Sequence, residues 1–240
     1  MNHAPAELPL VGLARQKERV LDAVRKGESL LLLGPPGSGK TRLLRLALEA
    51  GGANSVYLQY RPVLHDLLAS LAVTLIRTRY RDPLRWALAQ TSVHLRGLIW
   101  SALEAEPRLI ALDPVRNSSH QAYRFFQRLY HTPGMRILAA ARDPVQLGAL
   151  HRLFWDPRRS IYLPPLNDRE SLRLFEAAAD RFELRRLDLD DFRERALDSA
   201  QGNPGQIVEM CRMAADPRYL SGRHIQFAPL RIDALMKFLL

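Results

Sequence analysis

The sequence predicts an α/β protein: a parallel sheet with helices on both faces, followed by a small all-helical domain. Three observations carry that prediction. Short apolar runs alternate with amphipathic stretches of helical period through residue 165, as they do in a doubly covered parallel sheet. The first apolar run ends in a glycine-rich segment that opens a helix. After Pro164 and Pro165 the strands stop, and three helical stretches follow one another.

Taken in order, residues 15–26 set Val20, Leu21 and Val24 on one helical face. Residues 29–33 (SLLLL) are a short run ending at glycine, as a buried parallel strand is. Residues 41–50 form a helix with Leu43, Leu44, Ala47 and Leu48 inward, stopped by Gly51 and Gly52. Residues 55–60 (SVYLQY) are a second strand. A mostly helical stretch, 62–105, follows, and Pro83 divides it into two helices. Residues 109–112 are a third strand ending at Asp113. A helix near 119–130, a fourth strand at 136–141, a short helix at 145–153 and a fifth strand at 161–163 complete the alternation. Beyond it, residues 168–182, 189–200 and 204–215 read as helices. The tail carries a short strand (HIQF) and a last apolar helix (IDALMKFLL). The expected partition is a core over residues 1–165 and a helical domain with a C-terminal tail over 166–240.

With 240 residues, 47% hydrophobic and 25% charged, the chain is neither disordered, collagen-like nor a coiled-coil rod. No apolar run approaches the roughly 18 residues of a membrane span. The opening MNHAPAELPL has no basic stretch and no long apolar stretch of a secretion signal. Cys211 is the only cysteine, which excludes a disulfide within the chain and a cysteine-based zinc site. These features point to a cytoplasmic protein with no membrane partner. His65, His94, His120, His131 and His151 have no metal-ligand spacing and read as structural, and Cys211, between Met210 and Met213, reads as core.

Charge is the unusual quantity. Lys+Arg 35 against Asp+Glu 25 leaves +10, nearly all of it arginine, since Lys17, Lys26, Lys40 and Lys237 are the only lysines. A GC-rich genome explains arginine in place of lysine but not the excess over acids. A basic surface favours polyanions, nucleic acid among them.

Residues 34–41 read GPPGSGKT and fit G-x-x-x-x-G-K-[ST], a P-loop, with Gly34, Gly39, Lys40 and Thr41 at its fixed positions. A buried strand precedes it and a helix follows, which is the context the chemistry needs. The backbone N–H groups of such a loop wrap a β-phosphate, and its glycines let the backbone approach. The positive end of the helix adds to this. Lys40 is placed to neutralise β/γ oxygens and Thr41 to ligate Mg²⁺. Asp113, at the end of the apolar run RLIALD, is the expected second metal contact. In NTPases with such a loop a glutamate commonly follows that aspartate and polarises the attacking water; here the next residue is Pro114, which has no base.

These residues resemble the AAA+ ATPases, closest to the origin-recognition, STAND and transposition-helper branches, over about residues 9–215. The resemblance implies an AAA+ core and a helical lid, ATP and Mg²⁺ as cofactors, and a homo-oligomer joined through the nucleotide interface. PLVGLARQKERVLDAV is similar to the adenine-side box, with Val11 and Gly12 near the base. GPPGSGKT is similar to Walker A, so Gly34, Pro35, Gly37, Ser38, Gly39, Lys40, Thr41 and Arg42 are the phosphate-side residues, and LIALD is similar to Walker B. RILAAARDP resembles the strand that ends in a polar sensor, here Arg142. GNPGQIVEM resembles the lid helix, with Pro204 and Ile207 against the base. Two departures stand out: Pro114 at the catalytic glutamate, and Gly205 where a lid arginine is often found. An arginine finger is expected before the fifth strand, as Arg152 in the origin-recognition pattern or Arg158 or Arg159 in the clamp-loader pattern.

Arg77, Arg79, Arg81 and Arg85 cluster around Pro83, with Tyr80 and Trp86 interleaved and Arg61 and Arg96 behind them. In transposition helpers the segment after the second strand faces DNA, so the resemblance makes this cluster the first choice for sequence-independent backbone contact. A solvated helix face is the competing reading. The functional expectation is a DNA-associated ATPase acting as a nucleotide-gated regulator or clamp, with catalytic Lys40, Asp113, Arg142 and Arg152. Hydrolysis is expected to be slow, with Gln59 as a candidate to orient water. The alternative is a STAND-like ATP-gated switch or scaffold acting on a protein partner without nucleic acid.

Overall fold

The computed structural model describes residues 8–76 and 80–239, which divide into two compact units. Residues 16–34 and 40–162 form a sheet unit; residues 8–15, 35–39 and 163–239 form a helical unit.

The sheet unit contains β1 (Leu30–Leu33), β2 (Ser55–Gln59), β3 (Leu109–Asp113), β4 (Arg136–Ala141) and β5 (Ser160–Tyr162). Their order is β2-β3-β4-β1-β5 and every pairing is parallel. All five expected strands are present. The central β1, β3 and β4 read as unbroken apolar runs because both of their faces are covered. Edge strand β2 alternates instead, with Val56 and Leu58 buried and Tyr57 and Gln59 exposed.

The helices are α1 (Ala14–Lys26), α2 (Lys40–Gly51), α3 (Leu64–Leu75), α4 (Pro83–Leu88), α5 (Ser92–Ala105) and α6 (His120–Tyr130). The β1–β2 crossover runs one way along the sheet, and the β2–β3 and β3–β4 crossovers run back. Right-handed crossovers therefore put α2 on one face and α3 to α6 on the other. The core obeys this: Ile110, Leu112, Ile137 and Ala139 pack with Leu67, Leu68, Ile99 and Phe126 of the second face. Asp113 has the parity of Leu109 and Ala111, and so it points to the α2 face.

Two expectations change. Among the described residues, 62–105 hold three helices rather than two, because a second break at residues 89–91 follows the one at Pro83. Asp82 caps α4 by accepting the Arg85 N–H at 3.0 Å, and Pro83 sits in the first turn, where its missing N–H costs nothing. A further break follows, and Thr91 caps α5 by accepting the His94 N–H at 3.2 Å. The His65 ring joins these pieces through Ser92 Oγ and the Leu88 carbonyl, both at 3.1 Å, a structural role. The short helix expected at 145–153 is a 3-10 helix and begins later, at Ala149–Phe154. The Ser118 hydroxyl, which accepts the Leu150 N–H at 2.8 Å and donates to the Leu147 carbonyl, holds the preceding turn.

The helical unit contains α7 (Asp168–Arg181), α8 (Asp190–Ala200), α9 (Pro204–Ala214) and α10 (Phe227–Leu239). A short antiparallel hairpin, β6 (Leu220–Ser221) with β7 (His224–Ile225), stands before α10, so the expected HIQF strand is half that length. Asn167 and Glu170 form a reciprocal capping box at the head of α7. Phe175, Phe192, Ile207, Met210 and Cys211 build the core. Burial pushes the Cys211 thiol up to about 12, which suits a packing residue and not a reactive one. Among the described residues no helix is long and apolar enough to cross a membrane.

Candidate functional site

In the sheet unit the site is built at the head of α2. The Gly34 N–H donates to the carbonyls of Ala141 at 3.3 Å and Arg142 at 3.2 Å, so the chain leaves β1 beside the end of β4. Lys40 is the first residue of α2 and is buried; its Nζ donates to the Gly34 carbonyl at 2.6 Å. Thr41 Oγ1 donates to Asp113 Oδ2 at 2.6 Å, and the Tyr57 hydroxyl donates to the same oxygen at 3.1 Å. Burial holds Lys40 down to about 8, with the Asp113 carboxylate pulling the other way. Burial, then the Asp113 charge, raises the Tyr57 hydroxyl above its ordinary value. Among the described residues no group of three or more His, Cys, Asp or Glu could hold a metal ion. A single hydroxyl–carboxylate pair instead fits Mg²⁺, which takes one or two protein oxygens and completes its shell with water and phosphate. A buried ammonium at a helix head fits an anion, because a phosphate favours the charge that burial disfavours.

In the helical unit the loop residues Pro35–Gly39 meet the head of α9. Gly37 and Gly39 have φ of +83° and +98°, a region that glycine enters without strain. The Ser38 N–H donates to the Pro35 carbonyl at 3.1 Å. Asn203 does two jobs. Its Oδ1 caps α9 by accepting the N–H groups of Gly205 at 3.0 Å and Gln206 at 3.2 Å, and its Nδ2 donates to the Pro36 carbonyl at 2.8 Å. The Gly205 N–H also donates to the Gly37 carbonyl at 2.9 Å. A Cβ at 205 would lie 2.6 Å from Gly37 Cα, so the absence of a lid arginine has a steric reason: backbone packs on backbone there. Pro204 occupies the first turn of α9, while Val11 and Ile207 are buried in the same core and Gly12 lies against Leu166 and Glu170.

No protein-family model matches the chain, and no curated protein matches it. Solved structures do. The RuvB Holliday junction branch migration motor of Thermotoga maritima superposes with a TM-score of 0.58 at 13% identity, over 96% of this chain and 70% of that one. A Walker-type ATPase of Pyrococcus abyssi gives 0.60 at 15% identity, over 96% and 71%. AMPPCP-bound DnaA from Aquifex aeolicus gives 0.56 at 18% identity, over 84% and 61%. The fold is that of the AAA+ P-loop ATPases.

On this AAA+ fold the remaining expected residues divide. Arg142 follows β4, its carbonyl bonded to Gly34 and its side chain exposed. Among the three candidate fingers, Arg158 is ion-paired with Asp156 at 3.1 Å, and Arg159 donates to the Tyr130 hydroxyl. Arg152 is exposed, makes no ion pair among the described residues, and lies 5.8 Å from the Tyr123 ring centroid. Gln59 is exposed and stands in register beside Asp113. Pro114 is followed by buried Val115, whose N–H donates to the Ala140 carbonyl at 2.7 Å. Arg77 and Arg79 lie outside the described residues. Arg81 and Arg85 are exposed, as is Arg61. Tyr80 and Trp86 stack on each other, centroids 4.9 Å apart and 13° from parallel, so each covers one face of the other. Sequence reasoning missed Tyr57 and Asn203. The β2 alternation puts Tyr57 on the Asp113 side of the sheet, and Asn203 before Pro204 is a helix-start signature.

Proposed function

We propose that this protein binds ATP with Mg²⁺ and assembles with copies of itself in a nucleotide-dependent way as a DNA-associated ATPase. The observation that carries the reading is the 2.6 Å contact between Thr41 Oγ1 and Asp113 Oδ2 beside buried Lys40. The loop of Gly34, Pro35, Gly37, Ser38, Gly39, Lys40, Thr41 and Arg42 holds the phosphates, and Lys40 supplies the charge for the β/γ oxygens. Thr41 and Asp113 hold the metal. When bound, Mg²⁺ neutralises charge on the phosphate oxygens. Val11, Gly12, Pro204 and Ile207 serve the base. Arg142 reads the γ-phosphate from its own chain and Arg152 reads it from a neighbour; the lack of an ion pair on Arg152 supports it over Arg158.

The experiment is calorimetric titration of ATP with and without Mg²⁺. The protein should bind ATP more tightly with Mg²⁺, and Asp113→Asn should lose that difference. Absence of binding in both buffers contradicts the reading. For assembly, light scattering should give a larger mass in ATP than in ADP; one mass in ATP, ADP and nucleotide-free buffer contradicts it.

Association with DNA is supported by the excess of 10 positive charges and by two fold neighbours, the branch migration motor RuvB and DnaA. Contacts of this type are made to phosphates and carry no sequence preference.

A further inference from the structure

A groove of about 350 Å³ in the sheet unit is lined by Arg96 and Trp100 of α5 and by Gln121, Arg124, Phe125 and Arg128 of α6. The spacing explains the convergence. Residues 96 and 100 are one turn apart, and residues 121, 124, 125 and 128 form one stripe along α6. Three of these six side chains are guanidinium groups and none is a carboxylate. Among the described residues none of the three makes an ion pair. Elsewhere on the surface Arg158, Arg185, Arg193, Arg195, Arg212 and Arg218 each hold an aspartate or glutamate. Arg96 Nε is buried with no hydrogen-bond partner, an uncommon state for a charged donor. Arg124 and Arg128 are like charges one turn apart, an arrangement that weakens a helix. An anion in the groove offsets the repulsion between Arg124 and Arg128 and gives the Arg96 guanidinium a counter-charge.

We propose that the α5–α6 groove binds the phosphodiester backbone of nucleic acid, with Arg96, Arg124 and Arg128 donating to phosphate oxygens. Guanidinium forks match phosphate geometry. The Arg128 guanidinium lies 4.1 Å over the Trp100 ring and the Phe125 ring is tilted against it at 5.8 Å, so Trp100 orients an arginine rather than stacking on a base. The stripe from 121 to 128 extends about 10 Å along α6, longer than one phosphate, which favours a chain of phosphates over a single anion. Beyond Arg96, already grouped with Arg81 and Arg85, this site adds Arg124 and Arg128 of α6. It rests on the DNA-associated part of the proposed function and not on the nucleotide site.

The test is fluorescence anisotropy of a labelled duplex of about 20 base pairs across a salt series, because each lost phosphate contact lowers the log–log slope by about 0.9. The variant is Arg96→Gln/Arg124→Gln/Arg128→Gln. A control of equal charge, Arg169→Gln/Arg173→Gln/Arg186→Gln, alters exposed arginines of the helical unit. The groove variant should lose about 2 to 3 from the slope and at least tenfold in affinity at low salt, against a small change in the control. Circular dichroism checks folding. If the triple variant does not fold, Arg124→Glu, at an exposed position, should lower the slope by about 1 or more. Equal losses in groove variant and control overturn the site, as does a groove variant that binds like the unaltered protein; in both cases DNA association stands. An unaltered protein that does not bind the duplex overturns both.

Discussion

Gly205 donates its N–H to the Gly37 carbonyl at 2.9 Å, and the two backbones are so close that a Cβ at 205 would lie 2.6 Å from Gly37 Cα. The contact ties the head of α9 to the glycine-rich loop by backbone alone. Gly205→Ala must displace one of the two, at a cost of about 1–3 kcal/mol by the usual scale of overpacking. Gly97→Ala is the control: it sits inside α5 with open space around its Cβ and should gain roughly 0.5–1 kcal/mol from helix propensity. Urea denaturation compares them, and a Gly205→Ala protein as stable as the unaltered one would show that the loop and α9 do not pack this way.

Lys40 supplies a pH dependence with a definite sign. An ordinary lysine titrates at 10.5, and burial brings this one down to about 8. Between these values the unfolded chain holds the proton and the folded one does not, so the stability of the nucleotide-free protein rises with pH across that window. Below pH 8 the lysine is charged in both states and the burial cost is present in full. Bound phosphate needs the charged form, so ATP affinity should instead fall as pH rises above about 8. Denaturation and ATP titration from pH 7 to 10, with Lys40→Met as reference, check both trends. A reference protein with the same slopes would assign them to other groups.

The fold was legible where one physical rule dominated. The runs LLLL, LIALD and RILAAA are too apolar for anything but strands covered on both faces, and the loop GPPGSGKT stands between strand and helix as its chemistry requires. The segment 62–105 is less legible, because the break at residues 89–91 carries neither proline nor glycine, unlike the one at Pro83. With Asp82 before it to cap the Arg85 N–H, the same residue is a helix start. Asp113 was legible from its place at the end of a strand. Tyr57, which shares its Oδ2 with Thr41, was not, because that contact needs the register of β2 on β3. The tie between Asn203 and Pro36 spans 167 positions, and no local pattern encodes it.

Pro114 bears on turnover. It offers neither a carboxylate nor an N–H beside Asp113, and Asp113 Oδ2 is already engaged by Thr41 and Tyr57. Phosphoryl transfer still needs a group to orient the attacking water. Steady-state hydrolysis at saturating ATP and Mg²⁺ should therefore fall below roughly 1 per second, the low end of the enzyme range. Pro114→Glu should raise it. Turnover of many per second by the unaltered chain alone would mean that another residue fills the role.

In the proposed function the loop at the head of α2 binds nucleotide phosphate, and Lys40 is its charged side chain. Lys40 Nζ sits 2.6 Å from the Gly34 carbonyl, buried at the first residue of α2. Removing its charge by Lys40→Ala should weaken ATP binding at least tenfold, a loss of about 1.4 kcal/mol or more. The measurement is calorimetric titration of ATP with Mg²⁺ into the folded variant at neutral pH. A loss of tenfold or more is the predicted result; a folded Lys40→Ala protein that binds ATP as tightly as the unaltered chain would contradict the claim.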